Sequence, residues 1–285
     1  MRVIITVCIL LLTLTLPLLA WNVLGQHDDT SGQRPDQTPT HSEFCGGIRN
    51  TAFKAGESLT YKVYYTVAGL HVAAAGEATF NTGLERFQGK DCYHVVAEGK
   101  SYPFYDKFYR VRDKYESYID TGTLQPYKFI RNVDEGGYKT YENVSFIKAA
   151  GTAVTNAGVY HVPDCIQDVL SASFYARNID FNKYKPGDKI LFDMFLDRQV
   201  NHLYIRYLGK ETVRTDYGKF RTIKFKPLLV QGTMFQGGEK MTVWVTDDPN
   251  HIAVRVESPI TVGKVRVDMI MYHNPRSPMT SLVDL

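Results

Sequence analysis

Residues 59–67 read Leu-Thr-Tyr-Lys-Val-Tyr-Tyr-Thr-Val. Leu59, Tyr61, Val63, Tyr65 and Val67 alternate with Thr60, Lys62, Tyr64 and Thr66. A period of two places one set on a packed face and the other toward water or a lumen, as in antiparallel sheets. The pattern recurs down the chain. Tyr109, Val111, Asp113 and Tyr115 alternate with Arg110, Arg112, Lys114 and Glu116. Met241, Val243 and Val245 alternate with Thr242, Trp244 and Thr246, and Ile252, Val254 and Val256 with Ala253, Arg255 and Glu257. Val265, Val267, Met269 and Met271 form the last such set. Turn chemistry separates the runs: Ala-Gly-Glu at 55–57, Glu-Gly-Gly at 135–137, Pro-Gly-Asp at 186–188, Tyr-Gly-Lys at 217–219, Gln-Gly-Gly at 236–238 and Asp-Asp-Pro-Asn at 247–250. This spacing predicts a meander of hairpins. The fold class is therefore all-β: a strongly curved antiparallel sheet or open barrel of about ten or more strands, since twisted sheets of that width tend to curl.

One segment departs from the pattern. In residues 164–178, Ile166, Val169, Leu170 and Phe174 have helical spacing. Pro163 precedes the segment, Asp164 is placed to cap it and Gln167 to complete a capping box. One amphipathic helix is thus inserted near the middle, where it can plug the concave side of the sheet.

The two ends frame this domain. Met1 and Arg2 are followed by an almost wholly apolar run from Val3 to Leu19. Small residues Ala20 and Gly25 then offer cleavage points, so residues 1–25 read as a secretory signal peptide. Retention as an N-terminal anchor is the lesser alternative, because the run is short for a span and carries Pro17. Cys8 sits inside the run, which argues against lipid attachment there. Residues 26–43 contain no apolar side chain and read as a disordered polar leader. Residues 44–285 form a single β-rich domain. No later segment is apolar enough to span a bilayer, and the compartment implied is the periplasm. Cys45, Cys92 and Cys165 follow the signal without a CxxC spacing. In an oxidising compartment two of them can pair, or all can serve as small buried hydrophobes; spacing does not choose.

Chemistry-bearing motifs are scarce. The chain holds no GxSxG, HExxH, GxxxxGK[ST] or helix-opening GxGxxG. No cofactor and no metal is implied; calcium at Asp247 and Asp248 is a minor alternative to plain turn chemistry. A net charge of +3 with no basic block gives no footprint for nucleic acid. The weak catalytic candidates are Asp168, Asp247, Asp248 and His251. Asp168 is placed in the first helical turn, with an Arg of a neighbouring strand as its partner. The candidate ligand-binding residues are those of the helix face, Trp244 and Arg255, on the polar faces of their strands, and Tyr102, Phe104 and Tyr105. The last three lie in an aromatic stretch, 101–109, that reads mainly as core.

An ordered set of segments carries a family resemblance: AGESLTYKVYY (55–65), AAGEATF (74–80), QDVLSASFYAR (167–177), YGKFRTIKF (217–225), WVTDDPNHIAVRVES (244–258) and GKVRVD (263–268). Over roughly residues 50–275 the chain resembles the bacterial domain-of-unknown-function family numbered 3108. The resemblance implies an exported, envelope-associated β protein of Gram-negative bacteria, with no activity or site residues to carry over. Its shape is similar to the curved sheet and helix of periplasmic lipoprotein carriers, a likeness of fold only. The leading expectation is a non-catalytic module binding a lipid or other apolar envelope component. An envelope glycan or ester hydrolase is the second reading. A scaffolding part that docks an envelope protein partner is the third.

Overall fold

The structure is a computed structural model that describes residues 42–45, 47–67, 70–229, 238–260 and 263–285. The signal segment 1–25, residues 26–41 of the leader and residues 236–237 of one expected turn lie outside the described residues. The strands are β1 (Ser58–Val67), β2 (Leu70–Phe87), β3 (Lys90–Ser101), β4 (Val111–Asp120), β5 (Pro126–Glu135), β6 (Tyr138–Ile147), β7 (Thr152–Thr155) and β8 (Gly158–His161). They continue with β9 (Lys189–Leu196), β10 (Gln199–Arg214), β11 (Lys219–Pro227), β12 (Thr242–Thr246), β13 (Ala253–Pro259), β14 (Lys264–His273) and β15 (Leu282–Asp284). Two α-helices, α1 (Pro103–Asp106) and α2 (Val169–Ala176), complete the named elements.

All 15 strands belong to one antiparallel sheet in the order β8-β7-β6-β5-β4-β3-β2-β1-β14-β13-β12-β11-β10-β9, with β15 pairing to β11. Each neighbour but one follows in sequence, so hairpins build the meander; the pairing of β1 with β14 joins its two arms. The sheet stays open, and its free edges are β8 and β9. The chain crosses from one edge to the other through α2. The edges nevertheless approach: Tyr160 of β8 and Phe146 of β6 each contact the ring of Phe195 in β9. Arg131 of β5 reaches Asp197 beyond β9 at 2.7 Å.

The expected inward faces are mostly observed. Leu59, Tyr61, Val63 and Tyr65 are buried, as are Tyr109, Val111, Asp113 and Tyr115. Two register shifts move residues that alternation alone misplaces. Thr60 pairs with Met271 but Tyr61 pairs with Met269, so one residue of β14 is extra, and Met271 emerges 59% exposed. Trp244 pairs with Arg255 but Val245 pairs with Ala253, so Ala253 is carried to the inner side with Val245. A bulge inserts one residue into a period of two and flips every side chain beyond it.

The helix differs from its sequence reading in position and character. Its N-cap is Asp168, with Ser171 completing the capping box, in place of Asp164 and Gln167. The cause lies outside the helix. Gln167 N–H donates to Asp193 O and Gln167 O accepts from Phe195 N–H, which ties the preceding segment to edge strand β9 in extended form. Cys165, at φ 62°, is bonded to Cys45. Nor is the helix amphipathic: Val169, Leu170, Ser171, Ala172, Phe174 and Tyr175 are all buried. It fills the concave side of the sheet, where solvent reaches little of it. Phe44 stacks on Tyr175 at 4.3 Å and on Phe192 at 4.8 Å, so the segment before β1 is packed against the plug.

The Cys45–Cys165 disulfide spans 120 residues of sequence, and Cys92 is free and buried. A link of this reach restricts the unfolded chain strongly; the chain-entropy argument sets an upper figure of about 5 kcal/mol for such a loop, and typical contributions are about 2–4 kcal/mol. Cys45→Ser is expected to lower the guanidinium-unfolding stability by about 2–4 kcal/mol. The same experiment on native protein should show Cys92 unreactive to a thiol reagent until the chain unfolds. Unchanged stability in the variant would contradict the tie.

Candidate functional site

Between α2 and the concave face of β1, β2 and β9–β13 lies a cavity of about 180 Å³. Its walls follow from the alternation and its corrections. Leu59, Tyr61 and Phe80 enter from β1 and β2, and Phe192, Met194, Leu203 and Ile205 from β9 and β10. Val243, Val245 and Val256 enter from β12 and β13, joined by Ala253 because of the bulge. Ala172, Ser173, Phe174, Ala176 and Arg177 form the helix side. The lining is carbon almost throughout; its polar side chains are Tyr61, Ser173, Arg177 and His251. Ser173 Oγ donates to Val169 O at 2.9 Å.

Arg177 and His251 are held by one another's surroundings. The Arg177 guanidinium lies against Glu57 with Nη1–Oε1 2.5 Å and Nη2–Oε2 2.9 Å, a bidentate pair. Nε donates to Asn250 O and Nη2 to Ala52 O. Both members are buried. The pair fixes the end of α2 to the segment before β1 and to the β12–β13 turn. His251, at φ 44°, follows that turn and places Nδ1 2.7 Å from Arg177 O. Burial pushes its pKa below the usual histidine value, so the ring is neutral at pH 7.

Of the residues singled out by sequence, His251 and, from the helix face, Phe174 line this cavity. Asp168 caps the far end of α2, roughly 14 Å away for nine residues of helix. It accepts from Ser117 Oγ at 2.6 Å and from the backbone N–H of Leu170 and Ser171, and no Arg pairs with it. Burial pushes its pKa up to about 6 against the pull of those donors. Asp247 pairs with Lys210. Asp248 accepts from Thr246, Asn250 and Ser281, bolting the β12–β13 turn to the C-terminal segment. Asp168 therefore stands apart, while Asp247, Asp248 and His251 share the β12–β13 connection, each engaged in a structural contact.

The candidate ligand residues are dispersed as well. Trp244 lies between Val243 and Val245 and so on the opposite side of β12 from the cavity; Nε1 donates to Glu211, and Lys224 covers the ring. It is buried, contrary to a water-facing position. Arg255 pairs with Asp268 at 2.6 Å. Tyr102, Phe104 and Tyr105 sit at α1 in the β3–β4 connection. Phe104 is 64% exposed and Phe108 62%, so this stretch is not the core segment its composition suggests. Sequence reasoning missed Arg177, although a basic residue at a helix end could have flagged it. It also missed the aliphatic walls, which no motif marks.

A second polar cluster is buried on the inner face of β4 and β5. Asp113 hydrogen-bonds Glu135, and burial together with the Glu135 charge pushes the Asp113 carboxyl up to about 9. Arg131 is nearly inaccessible and pairs with Glu142 at 3.0 Å and Asp197 at 2.7 Å. Among the described residues no group of three His, Cys, Asp or Glu side chains is placed to hold a metal ion, and no helix is long and apolar enough to cross a membrane.

Comparison with known proteins agrees with the fold. The family described as protein of unknown function (DUF3108) matches residues 60–270. A β-barrel-like protein of domain of unknown function DUF1849 from Brucella abortus has the same fold at TM-score 0.52 and 8% identity, covering 78% of this chain and 99% of its own. A protein from Bacteroides fragilis, described as exported with a YmcC-like fold, matches at TM-score 0.33 and 15% identity over 80% of this chain and 100% of its own. One from Parabacteroides distasonis, described as a lipoprotein, matches at TM-score 0.33 and 14% identity over 79% and 100%. No curated protein matches in sequence.

Breaking the buried ion pair tests the site's frame. Arg177→Met leaves Glu57 charged and buried and is expected to cost about 3–5 kcal/mol in chemical denaturation. Arg177→Met with Glu57→Met should recover most of that loss; equal losses in both variants would contradict the pairing. The Asp113 carboxyl gives a pH test. Its pKa is raised from 3.8 to about 9, so the folded state keeps a proton that the unfolded state gives up. Its contribution is present in full below about pH 4 and declines as the pH rises toward 9. The stability of Asp113→Asn relative to the native sequence should therefore grow between pH 4 and pH 8. A difference independent of pH would contradict it.

Proposed function

We propose that this chain, which belongs to the DUF3108 family, is an exported, non-catalytic module that holds an apolar ligand in the cavity beneath α2. The supporting observation is that cavity: about 180 Å³ lined almost wholly by carbon. Its size is somewhat above the ~150 Å³ of an apolar cavity that accepts benzene, and below the ~300–1,000 Å³ of drug-sized pockets. One short chain or ring fits it; a lipid with two chains does not enter whole. Burying each methylene of such a chain contributes about 0.8 kcal/mol. The Cys45–Cys165 disulfide supports export, since such bonds persist in oxidising compartments. The periplasm is the compartment this reading assigns. The hydrolase reading needs two of Asp168, Asp247, Asp248 and His251 to converge on one point. Asp168 lies at the far end of α2, and Asp247 and Asp248, though near His251, are engaged by Lys210 and by Thr246, Asn250 and Ser281, which does not support it.

An apolar probe such as toluene should raise the melting temperature, with stabilisation of about 2.7 kcal/mol at 100 times its dissociation constant. Ala172→Leu adds three carbons to the helix wall and should reduce that shift while leaving the folded protein at least as stable. If neither toluene nor any medium-chain compound moves the melting temperature, and native mass spectrometry of protein taken from the periplasm shows no bound small molecule, the reading fails.

A further inference from the structure

The cavity has two chemically different ends. β11 ends and β12 begins at one of them, where Pro227, Leu228 and Met241 contribute only apolar surface. The β12–β13 turn lies at the other, where Arg177 and His251 meet the lining. We infer that the ligand is a neutral single-chain amphiphile whose terminal hydroxyl lodges against His251 and Arg177, its chain running toward Leu228 and Met241. This rests on the reading of the cavity as an apolar ligand site and names the class of ligand.

The hydrogen-bond inventory sets the head group. Arg177 O can only accept, so the His251 nitrogen 2.7 Å from it, Nδ1, carries the ring proton. In the neutral ring Nε2 is then an acceptor, and it has no donor among the described residues. Of the five guanidinium hydrogens, four are committed: Nε to Asn250 O, Nη1 to Glu57, and Nη2 to Glu57 and Ala52 O. The fifth, on Nη1, has no acceptor among the described residues. This end of the cavity thus offers one acceptor and one donor, the complement of a hydroxyl. A ketone can use the donor but not the acceptor. A carboxylate fits worse still. Glu57 already neutralises the guanidinium, Asp247 and Asp248 lie near His251, and an Nε2 lone pair repels a second anion. Phe181 presents its ring to His251 from the remaining side, in an edge contact without charge.

Isothermal titration of the mature protein at pH 7.5 with 1-octanol, 2-octanone and octanoate tests this. We expect 1-octanol to bind about five- to tenfold more tightly than 2-octanone, the worth of one net hydrogen bond, and octanoate to bind most weakly. In His251→Phe the preference for the alcohol should vanish while 2-octanone still binds. Should that variant fail to fold, the native protein decides: the His251 Nε2 nitrogen resonance should move with 1-octanol and stay with 2-octanone. Equal binding of alcohol and ketone, or tightest binding of octanoate, overturns the hydroxyl assignment and leaves the apolar site standing. Failure of all three probes to bind overturns the apolar site as well.

Discussion

The Arg177–Glu57 ion pair is the contact on which the geometry of the interior depends. An open sheet whose edges do not hydrogen-bond has no intrinsic reason to keep one curvature. Its concave side must be filled, and the filler must be held in place. α2 fills it, and the bidentate pair pins the C-terminal end of the helix to the segment before β1 and to the β12–β13 turn. The N-terminal end is pinned by different means: the Asp168 cap, the strand-like contact of Gln167 with β9 and the disulfide to Cys45. Buried ion pairs seldom stabilise more than an apolar replacement would. What this one supplies is position. It holds the helix so that Ala172 and Ala176, the smallest side chains on it, line the cavity.

That space is the difference between the two halves of the interior. Against β4 and β5 the inner face is packed and polar, with Asp113, Tyr115, Ser117 and Arg131 all buried. Against β9–β13 it is apolar and incompletely filled. The Asp113–Glu135 and Arg131–Glu142–Asp197 contacts close the first half with directional bonds. The second half is left to aliphatic side chains, which impose no such geometry on a guest. The guest proposed for this half is one recognised by shape and apolarity, with a single polar end.

Much of this was legible in the sequence because a strand needs only a period of two, and Leu59–Val67 or Tyr109–Glu116 display it without interruption. What was not legible arose from interactions distant in sequence. Alternation places Met271 inside and Ala253 outside; a bulge in each of β14 and β13 reverses both, and a bulge leaves no mark on the pattern of its own strand. Residues 164–167 have helical spacing and cap chemistry, yet 164 and 165 form a turn with Cys165 bonded to Cys45, and Gln167 is drawn into a bridge with β9. The cavity escaped notice for a related reason. A Val or Met that faces a void has the same sequence signature as one that faces a neighbour. His251 was singled out for its titratable ring, and what matters in the structure is which of its nitrogens Arg177 occupies.

The space between α2 and β9–β13 is proposed to hold a guest, and two methionines report on it directly. Met194 and Met241 line the cavity, whereas Met269 is packed elsewhere and Met271 is exposed. In a carbon-13 methyl-methionine spectrum titrated with 1-octanol, Met194 and Met241 should show saturable shifts while Met269 and Met271 stay unmoved. Shifts confined to Met271, or no saturable shift at Met194 and Met241, would contradict that proposal.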